Sequence, residues 1–270
     1  MIRMLCIIGL SVTVLLGYPF LEPYWLKVNK IDVRDRDIPY AFEGTTIAFV
    51  TDIHHGPYFS RKRVRRFVEK LNNLRPDMVI FGGDYVHRDR QYIVPCFDEL
   101  SQVQAPLGKF GVLGNHDHWE SAPLTRQNMN KAGITILDNQ ATWIVKGTGR
   151  MKIGGVGDLW EDQQQLSPTI GDAKEEDFVI LVSHNPDYAE QLSTHQIDLM
   201  LSGHTHGGQV TLFGFWAPLV PSRYGQKYRS GIVETAVTKV IISTGIGTIT
   251  PPVRFFARPE IILLTLKRGV

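Results

Sequence analysis

Short apolar runs separated by polar, glycine-containing turns set the rhythm of this chain. Thr45–Thr51 (TTIAFVT) and Asp77–Gly83 (DMVIFGG) have the length and character of buried strands, and Ser60–Leu74 between them reads as a helix with Ser60 at its capping position. Pro76 separates that helix from the second strand, and the order repeats with PCFDELSQV as helix and KFGVLG as strand. The pattern is βαβαβ, the signature of an α/β domain. The second half differs: ITILDN, TWIVKG, MKIGGVG, DFVILVSH, IDLMLSGH, TKVIISTG and EIILLTL are strand candidates with few long helical stretches between them. The expected fold is α/β, with two facing mixed β-sheets and helices outside.

The amino terminus breaks this rhythm. Met4–Leu21 carries no charge and is about as long as the shortest membrane-spanning helices, with Tyr24 and Trp25 behind it as interfacial residue types. A cleaved signal and a buried apolar arm are the rival readings. The expected organisation is therefore an apolar anchor over 1–26, a linker over 27–44 and a catalytic domain over 45–270. Lys27, Lys30, Arg34 and Arg36 after the anchor lean that domain towards the cytoplasm, so the expected location is the cytoplasmic membrane.

Charge and cysteine usage narrow the chemistry. Lys and Arg number 29 against 27 Asp and Glu, a formal net charge of +2 that argues against a protein built mainly to bind nucleic acid. Cys6 and Cys96 provide neither a disulfide framework nor a cysteine zinc site, so a metal centre must use His and carboxylates.

Those residue types cluster where strands end: TDIHHG, GGDYV, GNHDH, SHNPD and SGHTHGG each follow a strand candidate. In open α/β sheets the crevice at the carboxyl ends of the strands is where ligands bind, and glycine beside a ligand residue lets the backbone turn sharply. Mixed oxygen and imidazole donors suit Mn, Fe or Zn rather than Ca. Asp52, His54, Asp84, Asn115, His184, His204 and His206 exceed the four ligands of one tetrahedral zinc, which implies two divalent ions sharing a carboxylate. Alternation along an extended chain puts His54, not His55, on the side of Asp52, leaving His55 at the rim. His87, His118 and His195 lack motif partners and read as surface or packing residues, the first two within reach of the pocket mouth.

In this order the motifs resemble the calcineurin-like metallophosphoesterase family, with its D-x-H, G-D, G-N-H-D, H and G-H-x-H blocks, over about Thr46 to His206. GDLW at Gly157–Trp160, HNPD, GHTHGGQ and the apolar amino terminus are further similar to its bacterial YkuE- and YaeI-like phosphodiesterase branch. The resemblance implies a four-layer αββα sandwich and two divalent metal ions, Mn before Zn or Fe. One is held by Asp52, His54, Asp84 and His206, the other by Asp84, Asn115, His184 and His204. It also implies His116 as the group that contacts phosphate and protonates the leaving oxygen, with Asp117 orienting its ring through the other nitrogen.

The expected reaction is hydrolysis of a phosphodiester or pyrophosphate bond by a metal-bridging hydroxide, on a phosphate ester that includes lipid-linked candidates such as a UDP-acylated glucosamine. A nuclease or nucleotide phosphodiesterase is the alternative enzyme, and a metal-dependent membrane scaffold the alternative without chemistry. Two further segments invite a role. The basic run Arg61–Arg66 is a solvated helix face by default and an attractor of anionic surfaces or phosphates otherwise. Thr211–Gly231 (TLFGFWAPLVPSRYGQKYRSG) reads either as a core hairpin or as an apolar wall that receives an acyl group.

Overall fold

A computed structural model of the chain describes residues 17–269. Its first sheet contains β1 (Lys27–Asp35), β2 (Thr46–Val50), β3 (Met78–Phe81), β4 (Lys109–Gly111), β5 (Ile134–Ile136) and β12 (Glu260–Arg268), in the order β1-β12-β2-β3-β4-β5. Its second contains β6 (Gln140–Lys146), β7 (Gly149–Gly155), β8 (Val179–Val182), β9 (Leu199–Ser202), β10 (Gly231–Glu234) and β11 (Lys239–Ile242), in the order β10-β11-β9-β8-β7-β6. Both are mixed: β12 runs antiparallel to β2, and β6 to β7, while β2-β3-β4-β5 and β7-β8-β9-β11 are parallel.

Strand alternation explains how the layers stack. In β2, Ile47 and Phe49 enter the core between the sheets, where they join Ile80, Ile180, Val182, Leu199 and Leu201; Ala48 and Val50 point the other way, towards the helices. That outer face is covered by α1 (Arg61–Asn73), α2 (Ile93–Leu100) and α3 (Asn115–Lys131) through Val64, Phe67, Leu71, Phe97, Leu100 and Met129. Fully burying a side chain such as Phe49 or Phe67 contributes roughly 1.5–3 kcal/mol. The outer face of the second sheet is more thinly covered, by α4 (Ser167–Ile170) and 3₁₀ turns that bring in Tyr188, Ala189 and Tyr228. The expected pair of facing mixed sheets flanked by helices is the architecture found.

Local differences have identifiable causes. Lys27–Asp35, read from sequence as part of a linker, is an edge strand paired in parallel with β12, although its alternating charges give it no apolar run. Ser60 stands at the N-cap of α1 in extended conformation but its side chain makes no capping bond. α3 was not anticipated: its helix is interrupted at Ser121, before Pro123, and its mixed polar sequence hides the periodicity.

The expected membrane location through an N-terminal anchor is corrected. Among the described residues no helix is long and apolar enough to cross a membrane. Residues 1–16 of the apolar segment lie outside the described residues. The part that is described docks on the domain: Glu22 is fully buried and accepts the Phe256 and Ala257 N–H groups, and Arg254 N–H donates to the Pro19 carbonyl.

Candidate active site and metal centre

The five polar clusters meet at one end of the two sheets. β2 leads into Asp52 and His54, β3 into Asp84, β4 into Asn115 at the first turn of α3, β8 into His184, and β9 into His204 and His206. All seven side chains are buried. Five of these residues have left-handed backbone: Asp52 (φ 53°), His54 (48°), Asp84 (55°), His204 (67°) and His206 (53°). Such conformations cost of order 1–3 kcal/mol each and persist where the surroundings over-determine them, commonly at functional sites. Gly83, at φ 94°, permits one of the tightest approaches: a Cβ there would lie 2.6 Å from the Gly114 nitrogen and 2.9 Å from His184 Nδ1.

The side-chain atoms form two groups with one carboxylate between them. In the first, His54 Nε2 is 3.0 Å from His206 Nε2, which is 3.3 Å from Asp52 Oδ1. In the second, His204 Nδ1 is 3.1 Å from Asn115 Oδ1 and 3.3 Å from His184 Nε2. Asp84 Oδ2 lies 3.5 Å from His54 Nε2 and 3.2 Å from His184 Nε2, so it faces both groups. Its other oxygen, Oδ1, accepts the His116 backbone N–H at 2.9 Å, which fixes the carboxylate plane. His184 Nδ1 donates to the Gly82 carbonyl at 2.7 Å, fixing which nitrogen faces the site. Asp52 is oriented by the Thr51 hydroxyl at 2.8 Å and the His204 N–H at 3.0 Å.

Electrostatics identify what fits between these atoms. Burial acts to raise both aspartates, but His206 and His54 hold Asp52 well below the usual carboxylate range, and His184 and His116 do the same for Asp84. Burial pushes His204 down to about 3, with His184 adding to it, and drives His206 far down against the opposing pull of Asp52. Burial likewise lowers His184, but Asp84 overrides it and lifts that imidazole well above its ordinary value. Charged carboxylates and neutral imidazoles are the ligating forms, and a cation displaces the proton that Asp84 holds on His184. The close approach of His54 Nε2 to His206 Nε2, beside two carboxylates, suits a shared cation better than a chain of protein hydrogen bonds. The donor set therefore fits divalent metal ions.

Three expectations about neighbouring residues are corrected. Asp117 does not orient the His116 ring: its Oδ2 accepts the Asp84 and Gly114 N–H groups at 2.8 and 3.0 Å, and its Oδ1 the Tyr85 N–H at 2.9 Å. The carboxylate is consumed in tying the β3 and β4 termini together. His55 is not at the rim, because its Nδ1 donates to the Phe59 carbonyl at 2.7 Å and its ring stands edge-on to Tyr92. His87 is neither surface nor remote packing: it is buried, with its ring centroid 5.0 Å from His116 and 5.4 Å from His54. His195 is exposed and His118 half-buried on α3.

Three of the basic residues in the run are committed to the fold, while Lys62 and Arg66 are exposed. Arg61 and Arg65 both donate to Glu99 on α2, and Arg63 donates to the Tyr58 and Pro23 carbonyls. Sequence reasoning did not assign the two indoles at the mouth of the site, where Trp119 packs on His116 at 4.5 Å and Trp160, presented by the GDLW turn, stands edge-on to His204 at 4.4 Å. The place of Trp119 directly after the GNHDH motif, and of Trp160 in the GDLW turn, is the one available signal. Arg254 had none: fully buried behind Asp52, it donates to the carbonyls of Thr244, Gly245, Gly247 and Ala257 and so shapes the loop whose Gly247 N–H donates to the Asp52 carbonyl.

Paired carboxylates and imidazoles at the ends of two facing mixed sheets define a metallophosphoesterase. The chain belongs to the calcineurin-like phosphoesterase family, whose model matches residues 45–208. It is 31% identical over 260 residues to the uncharacterized metallophosphoesterase YkuE of Bacillus subtilis, covering 93% of this chain and 89% of that protein. Identity to phosphodiesterase YaeI of Escherichia coli is 30% over 258 residues, covering 92% and 90%. An uncharacterized metallophosphoesterase of Aquifex aeolicus is 30% identical over 269 residues, covering 95% and 98%.

Proposed function

We propose that this chain hydrolyses a phosphodiester or pyrophosphate bond with two divalent cations, manganese in the first place, with zinc or iron as the alternatives. Asp52, His54, Asp84 and His206 hold one, and Asp84, Asn115, His184 and His204 the other. The observation that carries this reading is Asp84 Oδ2, set between His54 Nε2 and His184 Nε2. When bound, such ions neutralise phosphate charge and make water nucleophilic at neutral pH.

The chain's own groups do the rest. Asp52 and Asp84 are anchored by hydrogen bonds before substrate arrives, so little reorganisation is needed. His116, held at the edge of the centre by His54 and Trp119, contacts the phosphate and protonates the departing oxygen at a ring nitrogen. Trp119 and Trp160 shield the two sides of the mouth from water.

The preferred substrate carries an apolar substituent, consistent with a lipid-linked ester. A cavity of about 210 Å³, lined by His206 with Val210, Pro218, Leu219 and Pro251, adjoins the metal ligands directly. A nucleotide phosphodiester is the second reading, supported by the half-exposed indoles of Trp119 and Trp160, on which a base can stack.

Metal-stripped protein assayed with bis-p-nitrophenyl phosphate tests the core of the proposal. Addition of Mn²⁺, Zn²⁺ or Fe²⁺ is expected to restore hydrolysis with about two ions bound per chain. Absence of hydrolysis with every divalent ion rejects the enzyme reading, and saturation at one ion rejects the paired centre.

A further inference from the structure

His116 is the proposed leaving-group acid, yet the carboxylate next to it in sequence is spent on backbone N–H groups. A ring that must deliver a proton in one direction needs a partner on its other nitrogen to fix its rotation. Among the described residues, one side chain has a polar atom within hydrogen-bond distance of the His116 ring: His87, whose Nδ1 is 3.3 Å from His116 Nδ1.

The position of His87 is built by the fold. Beyond the end of β3 the chain continues beside the segment that follows β2: His55 bridges Val86, and the His87 N–H donates to the His55 carbonyl at 3.0 Å. Gly56 makes the close passage possible, since a Cβ there would lie 2.7 Å from the His87 carbonyl oxygen. The His87 ring, tilted 55° to that of His116, is thereby held at the same strand-end level as the candidate metal ligands.

We propose that His87 is the positioning residue for His116, a role that rests on the reading of His116 as the leaving-group acid. For His116 to act as acid, both of its nitrogens carry protons and it offers no lone pair, so His87 Nδ1 must be the acceptor of the Nδ1–H bond. That bond turns Nε2–H of His116 towards the departing oxygen. As the phosphorus–oxygen bond breaks, the leaving oxygen keeps the bonding pair and takes the Nε2 proton, and His116 becomes neutral while retaining Nδ1–H. His87 is unchanged by the step. Its own proton then resides on Nε2, a buried atom with no protein partner and therefore a donor that a substrate oxygen can satisfy.

The test compares His87→Phe, His87→Asn and His116→Gln in the metal-loaded protein, using methyl p-nitrophenyl phosphate and methyl phenyl phosphate as esters with good and poor leaving groups. Metal content and thermal unfolding are measured for each variant. General-acid assistance is worth about 10²–10⁴-fold and is needed most by the poor leaving group. His116→Gln and His87→Phe should both lose at least about tenfold more rate on the phenyl ester than on the p-nitrophenyl ester, with metals retained, and His87→Asn, which keeps an acceptor oxygen, should recover most of the loss.

Equal losses on the two esters in His87→Phe, beside a selective loss in His116→Gln, overturn the positioning role alone. Loss of metal from His87→Phe also overturns it and assigns His87 to the metal centre with His54. Equal losses in His116→Gln overturn the acid reading and this inference with it.

Discussion

At the scale of single residues, the seven candidate ligands were readable because their chemistry is written in their identity and their place after an apolar run. Orientation was not. Whether a carboxylate touches the ring beside it or the backbone around it depends on side-chain rotation and strand-end register, and Asp117 shows the consequence: it gathers three N–H groups from Asp84, Tyr85 and Gly114. Asp117→Asn tests this assignment. Either orientation of the amide sets an NH₂ group against at least one backbone N–H, leaving buried donors unmatched at a cost of about 1–3 kcal/mol. Urea unfolding should show that loss, while the ratio of rates on phenyl and p-nitrophenyl esters stays at the wild-type value. A ratio altered in the manner of His116→Gln would mean that Asp117 acts on the ring after all.

At the scale of elements, the same arginines that invited a reading as a phosphate attractor fasten α1 to α2. Arg65, and then Arg61, overcome the effect of burial and hold the Glu99 carboxyl down at about 2, against an ordinary value of 4.5. A depressed folded-state value means stability that is complete above about 4.5 and is lost as pH falls towards 2. With both arginines about half exposed, solvent screening keeps the contribution small. The difference in unfolding free energy between wild type and Glu99→Gln should therefore be full at pH 6 and shrink between pH 4.5 and 2; a constant difference would show that the pairing adds no pH-dependent stability. The strands that bear the site were legible for a related physical reason: β2, β3, β8 and β9 are buried on both faces and read as unbroken apolar runs. β1 and β10 lie at sheet edges, where half-exposed positions admit Lys, Asn, Asp and Glu, and pairing makes them strands: β1 with distant β12, β10 with the neighbouring β11. Arg254 escaped for the same reason, because the carbonyls it satisfies converge only in the folded chain.

At the scale of the whole molecule, the catalytic end of the sandwich is polar within and apolar at one side. Leu212, Phe213, Phe215, Trp216 and Leu219 are exposed on the segment after the last motif, and this wall is fixed in place rather than loose: Asp187 accepts the Ser222 hydroxyl and the Arg223 N–H, Thr205 donates to the Arg229 carbonyl, and Gln209 accepts the Ile249 N–H. Exposed apolar groups beside a charged centre are costly to solubility, and the apolar substituent proposed for the substrate would cover them. Each methylene buried on binding is worth about 0.8 kcal/mol, or roughly fourfold. Among alkyl p-nitrophenyl phosphates, kcat/KM should accordingly rise about three- to fourfold per methylene from methyl upwards and level off once the cavity of about 210 Å³ is filled. Leu219→Asp, which sets a charge at the cavity wall away from the proposed ligands, should flatten that rise while leaving the methyl ester nearly unaffected. Thymidine p-nitrophenyl phosphate provides the contrast: if it is preferred over every alkyl ester, and Trp119→Ala or Trp160→Ala removes the preference, the substituent recognised is a base and not an alkyl chain.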